Sequence, residues 1–214
     1  MSTVTVVESK TIVDWLQGLA ADVRGQADHL TQLDAAIGDG DHGINMNRGC
    51  EAVVAALDEQ GADLPPGKLL VLAGRTLVSK VGGASGPLYG SLLRGAGRAL
   101  GDDAQPEGPA LAEALAAGVK AVQELGAAVP GDKTMVDALV PAVGALRSAL
   151  ERGDALGAAT AAAADAAAEA ARATVPLQAR KGRASYLGER SVGHEDPGAA
   201  STALVFAALA RAVG

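Results

Sequence analysis

The stretch SKTIVDWLQGLAADVRGQADHLTQL, residues 9–33, places Ile12, Leu16, Leu19, Ala20, Val23, Ala27 and Leu30 at helical steps. Residues three and four apart share one face of a helix, so this spacing draws a single apolar stripe. The same period returns along the rest of the chain. No stretch sustains a period of two with β-branched and aromatic enrichment, which is what strands would need. We therefore expect an all-α protein. Seven further helices are expected at about 45–59, 66–80, 85–100, 109–125, 134–152, 154–174 and 198–213, making eight in all. Pro66 suits a first helical turn, Asp154 suits an N-cap, and Pro141 is a candidate kink.

A chain of 214 residues is long enough for one domain with its own core, and we expect residues 1–214 to form one. Aromatic residues make up only 2% of it, against 48 Ala and 28 Gly, so the helices must pack through small and aliphatic side chains. With 25 acidic against 18 basic residues the formal net charge is −7. An acidic chain with so few rings lacks both the positive field and the stacking faces that nucleic acids require, so no nucleic-acid partner is expected. The run 155–173 is Ala-rich and carries Asp165, Glu169 and Arg172, so no membrane span is expected either. The single Cys50 forms no intrachain disulfide, and MSTVTVVESK has neither the basic start nor the apolar run of a leader. We expect a cytoplasmic protein.

Short links between consecutive helices make them antiparallel neighbours, so alternate links fall at the same end of the bundle. One end collects EQGADLPPG (59–67), GDDAQPEG (101–108) and RGD (152–154), which are ordinary polar turns. The other collects DAAIGDGDHGIN (34–45), KVGGASGPLYG (80–90), GAAVPGDKTM (126–135) and ARKGRASYLGERSVGHEDPG (179–198). Every unusual cluster of Gly, Asp, His and basic residues lies at this second end.

Asp34, Asp39 and Asp41 are carboxylates separated by glycines that allow a tight turn. An all-oxygen set without Cys or several His favours Mg²⁺ over zinc, and the same residues also serve as turn formers. An EF-hand is excluded, since counting from Asp39 puts Cys50 where a Glu is required. His42 and Asn45 stand where free helix N–H groups welcome an anion, or where a polar residue caps. Gly82 to Gly86 is not a Walker loop; it either cradles phosphate with Ser85 or turns a corner, and the glycines that follow it suit close helix packing. Thr134 reads as a helix N-cap beside the cation Lys133, while Gly126 and Met135 offer an apolar slot. The long link 175–197 concentrates Lys181, Arg183 and Arg190, the positive charge that an acidic protein needs to hold a polyphosphate.

Taken together, DAAIGDGDHGINMNRG, GGASGPLYG, PGDKTMVDAL and KGRASYLGERSVGHEDPGAAS resemble the nucleotide-binding L subunits (DhaL) of dihydroxyacetone kinases, from about residue 34 to the C-terminus. The resemblance implies an eight-helix antiparallel up-and-down barrel with ADP or ATP and two Mg²⁺ ions at one rim. It implies Asp34, Asp39 and Asp41 as metal ligands, with His42, Gly43, Ile44, Asn45, Ala84 and Ser85 on the phosphate chain. Gly126 and Met135 would border the adenine, with Lys133 and Thr134 in the same nucleotide-binding motif. Arg183 would reach a phosphate, and Asp196, Pro197 and Gly198 would close the base and ribose side. No side chain would itself be phosphorylated.

The resemblance further implies retained ADP, rephosphorylated by a phosphohistidine donor subunit (DhaM), with the γ-phosphoryl passing to dihydroxyacetone on a separate DhaK-type subunit. Two alternatives remain open. One is an ATP-exchanging subunit of a kinase for a related triose or tetrose; the other is a nucleotide-dependent partner of a transcription regulator.

Overall fold

The structure, a computed structural model, describes residues 6–60 and 63–214; residues 1–5 of the stretch read for a leader, and 61–62 of the second link, lie outside the described residues. The helices are α1 Ser9–Ile37, α2 His42–Gln60, α3 Pro66–Lys80, α4 Ser85–Leu100, α5 Gly108–Gly126, α6 Met135–Glu151, α7 Leu156–Ala173 and α8 Pro197–Val213. The expected eight are present, and among the described residues there is no strand, only an isolated bridge between Val6 and Glu107. None of the described helices is long and apolar enough to cross a membrane.

Three boundaries differ from expectation. Helix α1 runs past Leu33 to Ile37, which places Asp34 inside a helix, and α2 begins at His42 instead of Asn45. The N-cap of α7 is Ala155, not Asp154. Asp154 instead turns back to α6: its N–H donates to the Ala149 carbonyl (3.0 Å) and its carboxylate pairs with Arg152 (2.8 Å). Pro141 lies inside α6 without ending it. The link 175–197 holds an unanticipated 3-10 segment, Arg183–Ser191, broken at Gly188 where φ is 57°.

Each helix packs on its neighbours in sequence, and α8 returns to pack on α1, so the bundle closes into a ring. Trp15 is buried at that closure, and its indole N–H donates to the Val205 carbonyl at 2.8 Å. Elsewhere the core is mostly Leu, Val and Ala, with Ile12, Met46, Tyr89, Met135, Phe206 and the lone Cys50 among them. Burial pushes the Cys50 thiol up to about 12, so it stays protonated and unreactive.

Small residues let the helices approach closely. A methyl group at Gly74 would lie 2.7 Å from the Gly90 carbonyl, and one at Gly90 would lie 2.7 Å from the Gly74 carbonyl. A methyl at Gly67 would meet the Gly97 carbonyl at 2.6 Å. Gly86, Gly90 and Gly97 of α4 therefore form a seam against α3, while Gly95 approaches Gly118 of α5, which is why a helix-weakening residue recurs there.

Both ends of the ring follow the expected alternation. At one end the Val7 N–H donates to the Pro106 carbonyl (2.8 Å), Lys68 pairs with Asp102 (2.9 Å), and Gly157 lies beside Gly214. At the other, the four long links converge on one cavity.

Candidate functional site

The cavity measures about 440 Å³, within the usual range for small-molecule sites. Its wall is contributed by the end of α1, the starts of α2 and α4, the α5–α6 corner and the 174–197 connection. Leu88, Val122, Leu125, Ala128, Met135 and Val136 make the apolar part, supplied by α4, α5, α6 and the corner between the last two. The ionic part comes from Asp34, Asp39, Asp41 and Asp196 together with Lys181 and Arg183.

Asp34 is drawn into the site because α1 continues for one more turn. Its Oδ2 accepts from the main-chain N–H groups of Asp41 (2.8 Å) and His42 (3.1 Å), which folds the GDGD turn back over the helix end. Gly38 is required here, because a Cβ would strike the Asp34 carboxylate. One ligand atom from each of Asp34, Asp39 and Asp41 then falls within 4.8 Å of the others, with Asp34 buried and the other two exposed. Three carboxylates this close repel unless a cation lies among them, and their all-oxygen chemistry fits Mg²⁺. The Arg183 guanidinium reaches Asp39 at 3.1 Å, so the connection that carries it folds over the carboxylate cluster.

His42 is buried, and both ring nitrogens have hydroxyl partners: Nδ1 with Ser85 (3.1 Å) and Nε2 with Ser201 (2.8 Å). Burial pushes its imidazole below the ordinary value, against the pull of the Asp34 and Asp41 carboxylates. A neutral ring then joins the starts of α2, α4 and α8. The chain of hydroxyls continues from Ser201 to Tyr89 (2.7 Å), and from the Tyr89 hydroxyl to Thr202 (3.0 Å). Sequence reasoning did not find Ser201, Tyr89 or Thr202, because their spacing is that of ordinary helix positions and only the ring closure brings them to His42. Leu88, Val122 and Leu125 were missed for a similar reason, since an apolar residue at a helix end looks like core.

Thr134 caps α6 as expected, accepting from the Val136 N–H (3.1 Å), while Asp137 accepts from the Thr134 N–H (2.7 Å). Asp196 caps α8 by accepting from the Ala199 N–H at 2.7 Å. Its burial raises the carboxyl pKa to about 7, with Asp137 adding to the rise and the Ala199 N–H and Lys133 opposing it. Ala84, Ser85, Gly126, Met135, Pro197 and Gly198 all line the cavity.

Four expected contacts are placed differently. Gly43 packs against the Ala27 carbonyl of α1, Ile44 is 60% exposed, and Asn45 accepts from Arg48 at 2.7 Å; none of the three lines the cavity. Lys133, expected only as a cation within the nucleotide-binding motif, lines it, but its ammonium is turned into the protein and donates to main-chain carbonyls.

Residues 36–211 match the model of the DAK2 domain. The chain is 45% identical over 94% of its length to the ADP-binding subunit DhaL of the PEP-dependent dihydroxyacetone kinase of Escherichia coli, covering 95% of that protein. It is 41% identical to the L-erythrulose 1-kinase of Mycolicibacterium smegmatis, covering 34% of it. The crystal structure of the dihydroxyacetone kinase from C. freundii in complex with AMP-PNP and Mg²⁺ superposes over 98% of the chain with a TM-score of 0.72 and 29% identity. The chain spans about a third of that kinase, 35% of its length.

Proposed function

The chain belongs to the DAK2 domain family, and from that premise we propose that it is the nucleotide-holding L component of a dihydroxyacetone kinase, a phosphotransferase that works with partner subunits. The observation that carries this reading is the composition of one cavity, where a carboxylate cluster faces two basic residues beside an apolar wall. A nucleoside diphosphate has those same parts, an apolar base and a metal-binding polyphosphate.

In this reading Asp34, Asp39 and Asp41 would hold two Mg²⁺ ions, which when bound would supply charge neutralisation to the phosphate oxygens. Asp34 keeps its orientation through the two N–H donors described above. Ser85, oriented by His42, and the main chain at Ala84 donate to the phosphates. Arg183 binds a phosphate oxygen in exchange for Asp39, and Met135 and Gly126 flank the base. Asp196, Pro197 and Gly198 close the ribose side by fixing the start of α8. No side chain of this chain is phosphorylated.

The substrate site belongs to a DhaK-type subunit carrying dihydroxyacetone, and a DhaM-type phosphohistidine donor recharges retained ADP. The chain's setting is then the cytoplasm. The test is to purify the protein without denaturant, dialyse it extensively, unfold it in acid and chromatograph what is released. About one equivalent of ADP is the expected result. An empty protein that binds added ATP with Mg²⁺ points instead to an exchanging kinase, a reading favoured by the 41% identity to the erythrulose kinase. A protein that binds neither overturns the nucleotide site.

A further inference from the structure

Lys133 is 1% exposed, a buried cation that the Asp196 carboxylate attracts without forming an ion pair with it. Its Nζ donates instead to main-chain carbonyls only: Thr174 (3.0 Å), Leu177 (3.0 Å), Ser191 (2.8 Å) and His194 (2.6 Å), with Val175 more distant at 3.4 Å. An ammonium has three protons, so five oxygens oversupply it and share the donors. Burying an unpaired ammonium is costly unless such dipoles replace its water, and here the protein supplies them from a single segment.

Those carbonyls fall into two groups. Thr174, Val175 and Leu177 lie on the incoming stem of the connection between α7 and α8, whereas Ser191 and His194 lie on the outgoing stem. One ammonium therefore clasps both stems. The stems are otherwise joined by the Gly193 N–H to Val175 carbonyl bond (2.8 Å), the Ala179 N–H to Ser191 hydroxyl bond (2.9 Å) and the Asp196 N–H to Thr174 hydroxyl bond (2.9 Å). Between them hangs the 3-10 segment whose apolar anchor is small, Ala179 and Ala184 against Ile37. This loop carries Lys181 and Arg183 to the cavity and delivers the chain to Asp196. Lys133 itself adopts a left-handed backbone, φ 63°, which is uncommon for a residue with a side chain and turns it inward from the α5–α6 corner.

We infer that Lys133 is a positioning residue: by clasping both stems of the 174–197 connection it sets Arg183 and Lys181 over the carboxylate cluster, and thereby nucleotide affinity, without touching the nucleotide. This rests on the nucleotide reading above, but the clasp itself can be tested apart from it. Because the holding groups are carbonyls, any primary ammonium of suitable size satisfies them.

The experiment uses the full chain, with Lys133→Met to keep the stem without charge and Lys133→Ala to open a space. Helix content by circular dichroism, Mg²⁺–ADP affinity by calorimetry and hydrogen exchange of residues 174–194 are measured for each. Wild type is expected to protect 174–194 from exchange. Both variants should remain helical, lose that protection and bind Mg²⁺–ADP at least about tenfold more weakly. Propylammonium chloride should restore affinity and protection to Lys133→Ala and leave Lys133→Met unchanged, a rescue that general destabilisation would not produce.

Unchanged affinity in folded variants, or tenfold weakening that propylammonium does not relieve in Lys133→Ala, overturns the inference. If the variants do not fold, the wild-type exchange decides. Protection of 174–194 comparable to α5 and α6 supports the clasp, and unprotected exchange overturns it. If wild type binds no Mg²⁺–ADP, the nucleotide reading fails, and loss or retention of loop protection in Lys133→Met still settles the clasp.

Discussion

At the scale of single residues, charge governs the site. Asp39→Asn keeps the turn and removes one anionic ligand, so Mg²⁺-dependent ADP affinity should fall by more than the roughly 10- to 100-fold that outer hydrogen-bond partners of a metal site cost. Calorimetry with and without Mg²⁺ checks this, and equal affinity for wild type and variant would remove Asp39 from the metal set. Asp196 gives a pH dependence. Its folded pKa, about 7, lies above the unfolded value of 3.8, so between those values the folded chain keeps a proton that the unfolded chain has lost. Its contribution is therefore greatest below about pH 4 and declines as pH rises towards 7. Asp196→Asn retains a cap acceptor without ionising, so the stability difference, variant minus wild type, should grow across that window in denaturant titrations of nucleotide-free protein. A constant difference would refute the assignment. The carboxylates themselves were legible in the sequence because Asp and Gly in a short turn have few uses. For Lys133 the sequence reports a cation but not the direction in which a left-handed residue aims it.

At the scale of elements, the α3–α4 seam explains why α4 tolerates so many glycines. Gly74→Ala places a methyl against the Gly90 carbonyl and the Arg94 side chain, and should destabilise by about 1–3 kcal/mol through overpacking. Gly144 on α6 is the matched control: it is exposed, and nothing lies within 4 Å of where its Cβ would go. Gly144→Ala should stabilise by about 0.5–1 kcal/mol, since only helix propensity changes. Opposite shifts in the denaturation midpoint are the expected result; a neutral Gly74→Ala would mean the helices part at no cost. The helices were readable from their period, and the misplaced boundaries show what period cannot supply. Asp34 belongs to α1 because its carboxylate is held by the turn's own N–H groups, a contact with no signature in spacing. The 3-10 segment 183–191 likewise carries no apolar period, and its path is held by Lys133 and Ser191.

At the scale of the whole molecule, parity of the links was enough to place the four unusual segments at one rim. Which side chains meet there depended on ring closure between α1 and α8, and the hydroxyl chain from His42 through Ser201 to Tyr89 follows from that closure. Because the site is assembled from both halves of the sequence, ligand binding should stabilise the ring as one unit. By linkage, Mg²⁺ with ADP at about 100 times its dissociation constant adds about 2.7 kcal/mol. A thermal scan should therefore show a higher Tm with both present than with either alone, and chelation should reverse it. A Tm indifferent to Mg²⁺ would count against the carboxylate cluster as a metal site.

The end of the ring that gathers Val7, Pro106, Gly157 and Gly214 lies opposite the cavity, separated from it by the length of α8, 17 residues or about 25 Å. A molecule anchored to a sensor surface through a tag beyond Gly214 would thus stand with its mouth facing the bulk. Immobilisation from that side leaves encounter rates with large partners unobstructed.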